Sequence, residues 1–241
     1  IKPHLFGDKE KIRTLADTIE FKDFKLTHAH SLEEAAEKAV KDISAGGGGD
    51  VLMKGDIHTA IFMKPILNRD YGLRQGKILS HVAVCDTPAY HKIMAVGDGG
   101  INIQPDLDQL RGIAENTIHT AETVLGHKPK VAFGAASEKV KDKFPETVNA
   151  HILAKEFSDK GYQAEGPIAL DVILSQKAAE KKHIDSNIAG DVDVIIVPYI
   201  TVGNFFLKQM IFLENAKVGG IVAGAMVPVV LLSRSDNAET K

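Results

Sequence analysis

The stretch Asp193-Val194-Ile195-Ile196-Val197-Pro198-Tyr199-Ile200-Thr201-Val202-Gly203-Asn204 decides the fold class. Val194 to Val197 form a continuous apolar run, too short for a helix and without the alternation of a half-exposed strand. Asp193 to Val197 therefore reads as a short strand buried on both faces. After Gly203 and Asn204, Phe206, Met210, Leu213 and Ala216 recur at helical spacing. A strand that is apolar on both faces needs helices over both, which predicts an α/β protein.

The same switching between short strands and longer helices runs through the chain. Ser31 and Glu34 form a capping box that opens a helix bearing Leu32, Ala35, Ala36, Ala39, Val40 and Ile43, ended by Gly46 to Gly49. Asp50 to Met53 reads as a strand and Asp56 to Leu67 as a helix. Ile78 to Cys85 and Lys92 to Val96 read as strands, Asp106 to Leu125 as a long helix, and Lys130 to Phe133 as a strand. Pro145 suits the first turn of a helix reaching Phe157. A further helix is expected over Ile168 to Lys181, and strands over Gly220 to Val222 and Val229 to Leu232.

The chain has 241 residues, 44% hydrophobic and 25% charged, with a formal net charge of -3. That length fits one large domain or two modest ones. A near-neutral chain lacks the field needed for nucleic acid or an anionic membrane, so the expected ligand is small. Cys85 is the only cysteine, which excludes an intrachain disulfide and a Cys-rich zinc site and suits a reducing, cytoplasmic setting. In an apolar strand with Val82 and Val84 nearby, it reads as an inert buried thiol. The longest uncharged stretch, Val218 to Leu232, is broken by Gly219, Gly220, Gly224 and Pro228 and is shorter than the ~20 apolar residues of a spanning helix.

The four glycines lead from a helix into a strand, the reverse of a phosphate-binding loop, so they read as a linker. Five turns follow apolar strands, where α/β sheets bind ligands. They are Met53 to Thr59, Gly97 to Asn102, Gly166-Pro167, Pro198 to Asn204, and Ser233 to Asp236. Each alone also serves as a plain tight turn.

In this order, the turns and their surroundings resemble the phosphotransacylase family, most closely its phosphate butyryltransferase branch. The matching text is Val51-Leu52-Met53-Lys54-Gly55 with His58-Thr59-Ala60, Leu79-Ser80-His81-Val82-Ala83-Val84, Asn102 with Pro105-Asp106-Leu107, and Glu165-Gly166-Pro167 with Asp171. It continues through Ala189-Gly190-Asp191, Val197-Pro198, Gly203-Asn204 and Lys208 to Ser233-Arg234 and Ala238-Glu239. The resemblance implies acyl-CoA plus phosphate giving acyl phosphate plus CoA, with both substrates exchanged and no bound cofactor or metal. It implies two α/β/α domains with an inter-domain cleft, isocitrate-dehydrogenase-like, and a homodimer. The expected division is 1–75 plus 221–241 for the first domain and 76–220 for the second, dimerising one. Because the family's chains run further at both ends, site residues are expected beyond Ile1 and Lys241.

By the same resemblance, Ser233 and Arg234 are the catalytic pair that contacts phosphate and the reacting carbonyl, chemistry suited to a hydroxyl donor and a guanidinium fork. Lys64 stands where acetyltransferase members have arginine, keeping the charge but losing the fork. Gly203 and Asn204 match a loop whose helix N-terminus lines the cleft, and Thr59 and Asp98 are expected to bind substrate. Acetyltransferase members carry an aspartate where this chain has Thr240, which cannot take a proton at neutral pH. His58, Glu239 and Asp236 are the alternative bases, with His58 preferred because imidazole titrates near neutrality. A metal- and NAD-dependent hydroxyacid decarboxylase on the same architecture, and a non-catalytic CoA or acyl-phosphate binding protein, are the competing readings.

Overall fold

The computed structural model describes residues 1–74 and 78–231. Two compact units emerge among the described residues, one built on 1–74 and 224–231, the other on 78–223.

The first unit opens with β1 (His4–Gly7), α1 (Lys9–Thr18) and β2 (Lys25–His28), with β1 and β2 parallel. Sequence periodicity gives no sign of the two strands, because four-residue strands with partly exposed side chains on both faces display no alternation, whereas α1 does carry Ile12, Leu15 and Ala16 at helical spacing. α2 (Leu32–Ser44) starts where expected, Ser31 Oγ accepting from Glu34 N at 3.1 Å. The Glu34 carboxylate, however, accepts from His30 N at 2.6 Å rather than from Ser31, so the capping box is displaced by one residue. Ala35, Ala36, Ala39, Val40 and Ile43 are buried, while Leu32 is exposed.

β3 (Leu52–Met53) is shorter than the expected Asp50 to Met53, and α3 (Thr59–Leu67) starts three residues later than expected. The delay has a local cause. Ile57 N donates to Gly55 O at 2.9 Å, and the buried Lys54 ammonium donates to Ile57 O at 3.0 Å and Gly55 O at 3.3 Å. These bonds hold Gly55 to Ile57 in a tight turn instead of a first helical turn.

In the second unit β4 (Ser80–Asp86) and β5 (Met94–Gly97) are followed by α4 (Leu107–Leu125), β6 (Lys130–Gly134) and α5 (Pro145–Asp159). Next come β7 (Gln163–Ile168), α6 (Leu170–Leu174), α7 (Gln176–Lys182), β8 (Val194–Ile196), α8 (Ile200–Glu214) and β9 (Lys217–Ala223). The chain then returns to the first unit with β10 (Val229–Val230), parallel to β3. The second unit's sheet runs β9-β4-β5-β8-β6-β7, mixed because β4 is antiparallel to both neighbours.

Both faces of that sheet are covered, as the run at Val194 requires. Val82, Ala95, Val131, Phe133, Val194 and Ile196 pack with α4 and α5. The alternate residues Ala83, Met94, Val96, Ala132, Ile195 and Val197 pack with α6, α7 and α8. Each such branched side chain contributes about 1.5–3 kcal/mol when fully buried.

Three expectations need correction. The stretch from Ile168 to Lys181 is not one helix: Ile168 ends β7, and Ser175 interrupts the helical part, its Oγ accepting from Ala178 N at 3.3 Å. Gly166-Pro167 is no turn but lies inside β7, an edge strand where a residue without an N–H is tolerated. α8 begins at Ile200, before Gly203 and Asn204, and it buries Leu207 and Met210 while Leu213 is 77% exposed.

Candidate active site

β5 and β8 are neighbours and parallel, Gly97 opposite Ile196. From β5 the chain leaves toward α4 on one face of the sheet, and from β8 toward α8 on the other. Adjacent parallel strands whose connections part in this way mark the place, beyond their carboxyl ends, where α/β sheets bind ligands. The Gly97 to Asn102 turn and the start of α8 stand there.

Asp98 organises this turn. Only 2% exposed, its Oδ1 accepts from Gly100 N at 2.7 Å and Ile101 N at 3.0 Å. Its Oδ2 accepts from Asn102 N at 3.2 Å and Asn102 Nδ2 at 2.6 Å. Four N–H donors thus take up the carboxylate, and Asn102 Nδ2 also donates to Leu79 O at 2.9 Å, tying the turn to the start of β4. The glycines around it allow close helix approach. A Cβ on Gly97 would stand 2.1 Å from Thr117 Oγ1 of α4, and one on Gly203 would stand 2.6 Å from Asp98 O. Asn204 Nδ2 donates to Gly99 O at 3.2 Å. Gly203 and Asn204 therefore sit in the first turns of α8 and pack onto the Asp98 turn, instead of forming a loop before the helix.

Beside this turn lies His81 of β4. A Cβ on the exposed Gly100 would lie 3.1 Å from its Cγ. Burial pulls the imidazole below its ordinary range, with the Asp98 charge acting in the opposite direction. In the sequence His81 belongs to the segment Leu79 to Val84 that carries the family resemblance. A histidine directly before the apolar run Val82 to Cys85 of β4 is the signal that the sequence offers.

In the first unit, β3 and β10 end side by side, Met53 opposite Val230, with Lys54 N donating to Val230 O at 3.0 Å. The chain beyond β3 forms the Lys54 turn and enters α3, whose N-cap is His58, exposed and without a side-chain cap bond. Thr59 is exposed at the first helical position. Lys64 is also exposed, but five residues on, about 140° round the helix from Thr59, so the two present different faces. The chain beyond β10 continues to Ser233 and Arg234, which lie outside the described residues, as do Asp236, Glu239 and Thr240.

Of the expected site residues, the structure brings Asp98, Gly203 and Asn204 together in the second unit, and His58 and Thr59 in the first. Among the described residues no group of three His, Cys, Asp or Glu side chains is arranged to hold a metal. No described helix is long and apolar enough to cross a membrane. Cys85 is fully buried and its thiol is pushed up to about 12 by that burial. A cavity of about 520 Å³ near Lys130, Tyr162, Gln163 and Glu165 lies at the amino ends of β6 and β7. Its charges are already engaged, Lys130 with Asp191 at 2.6 Å and Glu165 with Ser186 Oγ at 2.5 Å, and strand polarity favours the opposite end of the sheet.

Residues 4–241 match the family model described as phosphate acetyl/butaryl transferase. The chain is 40% identical over 240 residues to a probable phosphate butyryltransferase of Bacillus subtilis (strain 168), covering 98% of this chain and 80% of the relative. It is 38% identical over 245 residues to the phosphate acetyltransferase of Thermotoga maritima, covering 100% and 83%. A branched-chain phosphotransacylase from Enterococcus faecalis V583 superposes with a TM-score of 0.83 at 30% identity, covering 98% of this chain and 94% of that one. With its α/β units, its organised turn at a strand-end switch point and these relatives, the chain belongs to the phosphate acetyl/butyryl transferase family of phosphate acyltransferases.

Proposed function

We propose that this chain transfers a butyryl or branched short-chain acyl group between CoA and inorganic phosphate. The observation that carries the reading is the parallel end of β3 and β10. One strand leads into His58, Thr59 and the free N–H groups of α3, the other into Ser233 and Arg234. A phosphate oxygen attacks the thioester carbonyl carbon, the C–S bond breaks, and the sulfur leaves with its electron pair to become the CoA thiol or thiolate.

In this reading Arg234 neutralises the charge that develops on the tetrahedral carbon's oxygens, and Ser233 donates a hydrogen bond to them. Lys64 adds a point charge for phosphate. His58, exposed and not used in capping, serves as the base for the thiol in the reverse direction. Asp98, with its oxygens engaged by its own turn, acts by shaping the second unit's binding surface, and Thr59, Gly203 and Asn204 line the substrate sites. The finer architecture proposed is that of isocitrate-dehydrogenase-like α/β/α domains.

The reaction is proposed to run in the cytoplasm, a compartment that suits a lone buried cysteine. A homodimer through the second unit is part of the reading. Its support is the stripe of Val202, Phe205, Phe212 and Leu213 on α8, exposed by 45%, 75%, 70% and 77%, an apolar face of the kind that a second copy covers. Measuring kcat/KM for acetyl-, butyryl-, isobutyryl- and isovaleryl-CoA at saturating phosphate tests the acyl assignment. The four-carbon and branched esters should lead, and a preference for acetyl-CoA would overturn it.

A further inference from the structure

His81 lies opposite Val222 of β9, one residue before Val82, so its side chain stands on the α8 face of the sheet. It is half-buried overall, but Nδ1 is fully buried and has no hydrogen-bond partner among the described residues. A Cβ on the exposed Gly100 would stand 3.5 Å from that atom, which puts it at the edge of the Asp98 turn. Buried polar atoms are almost always paired, and an unpaired one asks for an explanation. Among the described residues the other such atom is Arg74 Nε, next in the chain to residues outside the described ones.

Neighbouring polar side chains are spoken for. Asp98 accepts four N–H bonds, Asn102 Nδ2 donates to Leu79 O and Asp98, Asn204 Nδ2 to Gly99 O, and Asn116 Nδ2 to Ile78 O and Ser80 Oγ. His81 alone of this set keeps an inward nitrogen in reserve. Burial favours its neutral form, and the Asp98 carboxylate nearby opposes the approach of an anion. The chemistry that matches is an uncharged group able to donate or accept, which an amide is for either imidazole tautomer. Acyl-CoA carries amides in the arm that leads to its thioester.

We propose that His81 is a substrate-binding residue: when the exposed Gly100 that covers it gives way, Nδ1 hydrogen-bonds an amide of acyl-CoA and makes no contact with phosphate. The inference rests on the acyl-transfer reading, and it adds a specific contact on the second unit. Three variants separate the possibilities. His81→Leu removes the bond, His81→Asn keeps a polar atom near the place of Nδ1, and His81→Gln puts one near that of Nε2.

Steady-state kinetics should show His81→Leu and His81→Gln raising KM for acyl-CoA about tenfold, with phosphate KM and kcat little changed. His81→Asn should stay within about threefold of the parent. Equal acyl-CoA KM in all four proteins, or a rise confined to phosphate KM, overturns the proposal. If His81→Leu does not fold, the Asn and Gln pair decides the matter by itself. Calorimetric titration with CoA alone separates this inference from the reading beneath it. A parent that binds CoA but transfers no acyl group overturns the reading, while the order of CoA affinities still decides the role of His81. A parent that binds no CoA overturns both.

Discussion

The Lys54 to Thr59 turn of the first unit and the Gly97 to Asn102 turn of the second both follow strands, yet they are built in opposite ways. The first stands beside a pair of two-residue strands, is held by Lys54 on its own carbonyls, and leaves His58 and Thr59 exposed. The second is held by a buried carboxylate with four N–H bonds and packed between Thr117 and Gly203. Side chains of the first are available for chemistry, whereas those of the second maintain a shape. Substitutions in the first unit's site should therefore alter kinetics with little effect on stability, and substitutions in the second should alter both.

Asp98→Ala should have the largest effect. It leaves several part-buried N–H groups without their acceptor, so thermal or urea unfolding should show a loss of about 2–4 kcal/mol together with a fall in activity. Full stability in that variant would break the contrast. Arg234→Ala should lower turnover at least ~100-fold at saturating substrates, as the loss of a strong electrostatic donor does, and leave the unfolding midpoint unchanged. Near-normal turnover would make Arg234 a structural ion pair.

Lys64→Ala should raise phosphate KM about tenfold without lowering kcat, because a contact felt equally in ground and transition states changes affinity alone. Lys64→Arg should be tolerated, and a kcat loss in either variant would put Lys64 among the groups that act on the transition state. The smallest effect is expected far from either turn. Asp191 bonds Lys130 at 2.6 Å, Lys92 at 2.8 Å and His91 at 2.9 Å, and Lys130 first, then Lys92 and His91, hold its carboxyl below the usual range. A depressed carboxyl stabilises the fold fully above its unfolded value of ~3.9 and loses that contribution as pH falls toward the folded value. With Asp191 44% exposed and partly screened by water, Asp191→Asn should cost at most about 1 kcal/mol at pH 7. The gap to the parent should shrink progressively as pH falls below about 4, and a gap that widens in acid would contradict the assignment.

The fold was legible wherever burial imposed a pattern. The run at Val194, the stripe from Ala35 to Ile43 and the long helix to Leu125 each carry a periodicity that only one environment explains. It was not legible in β1 and β2, which are too short to alternate, nor in β7, where Gly166-Pro167 imitates a turn. Site residues were harder. Gly203 and Asn204 were found by resemblance, but their place inside α8 depends on the close approach of Gly203 to Asp98, a contact 105 residues apart that no local pattern encodes. His81 sat in plain view as the one polar ring in an apolar strand. Its unpaired nitrogen became visible only once Gly100 was folded over it.

The central claim is acyl transfer to phosphate, and initial rates of CoA release from butyryl-CoA test it most directly, measured with and without phosphate while acyl phosphate is quantified. One acyl phosphate should form for each CoA released, with no release when phosphate is left out. CoA release that persists without phosphate, or that yields free acid in place of acyl phosphate, would contradict the account.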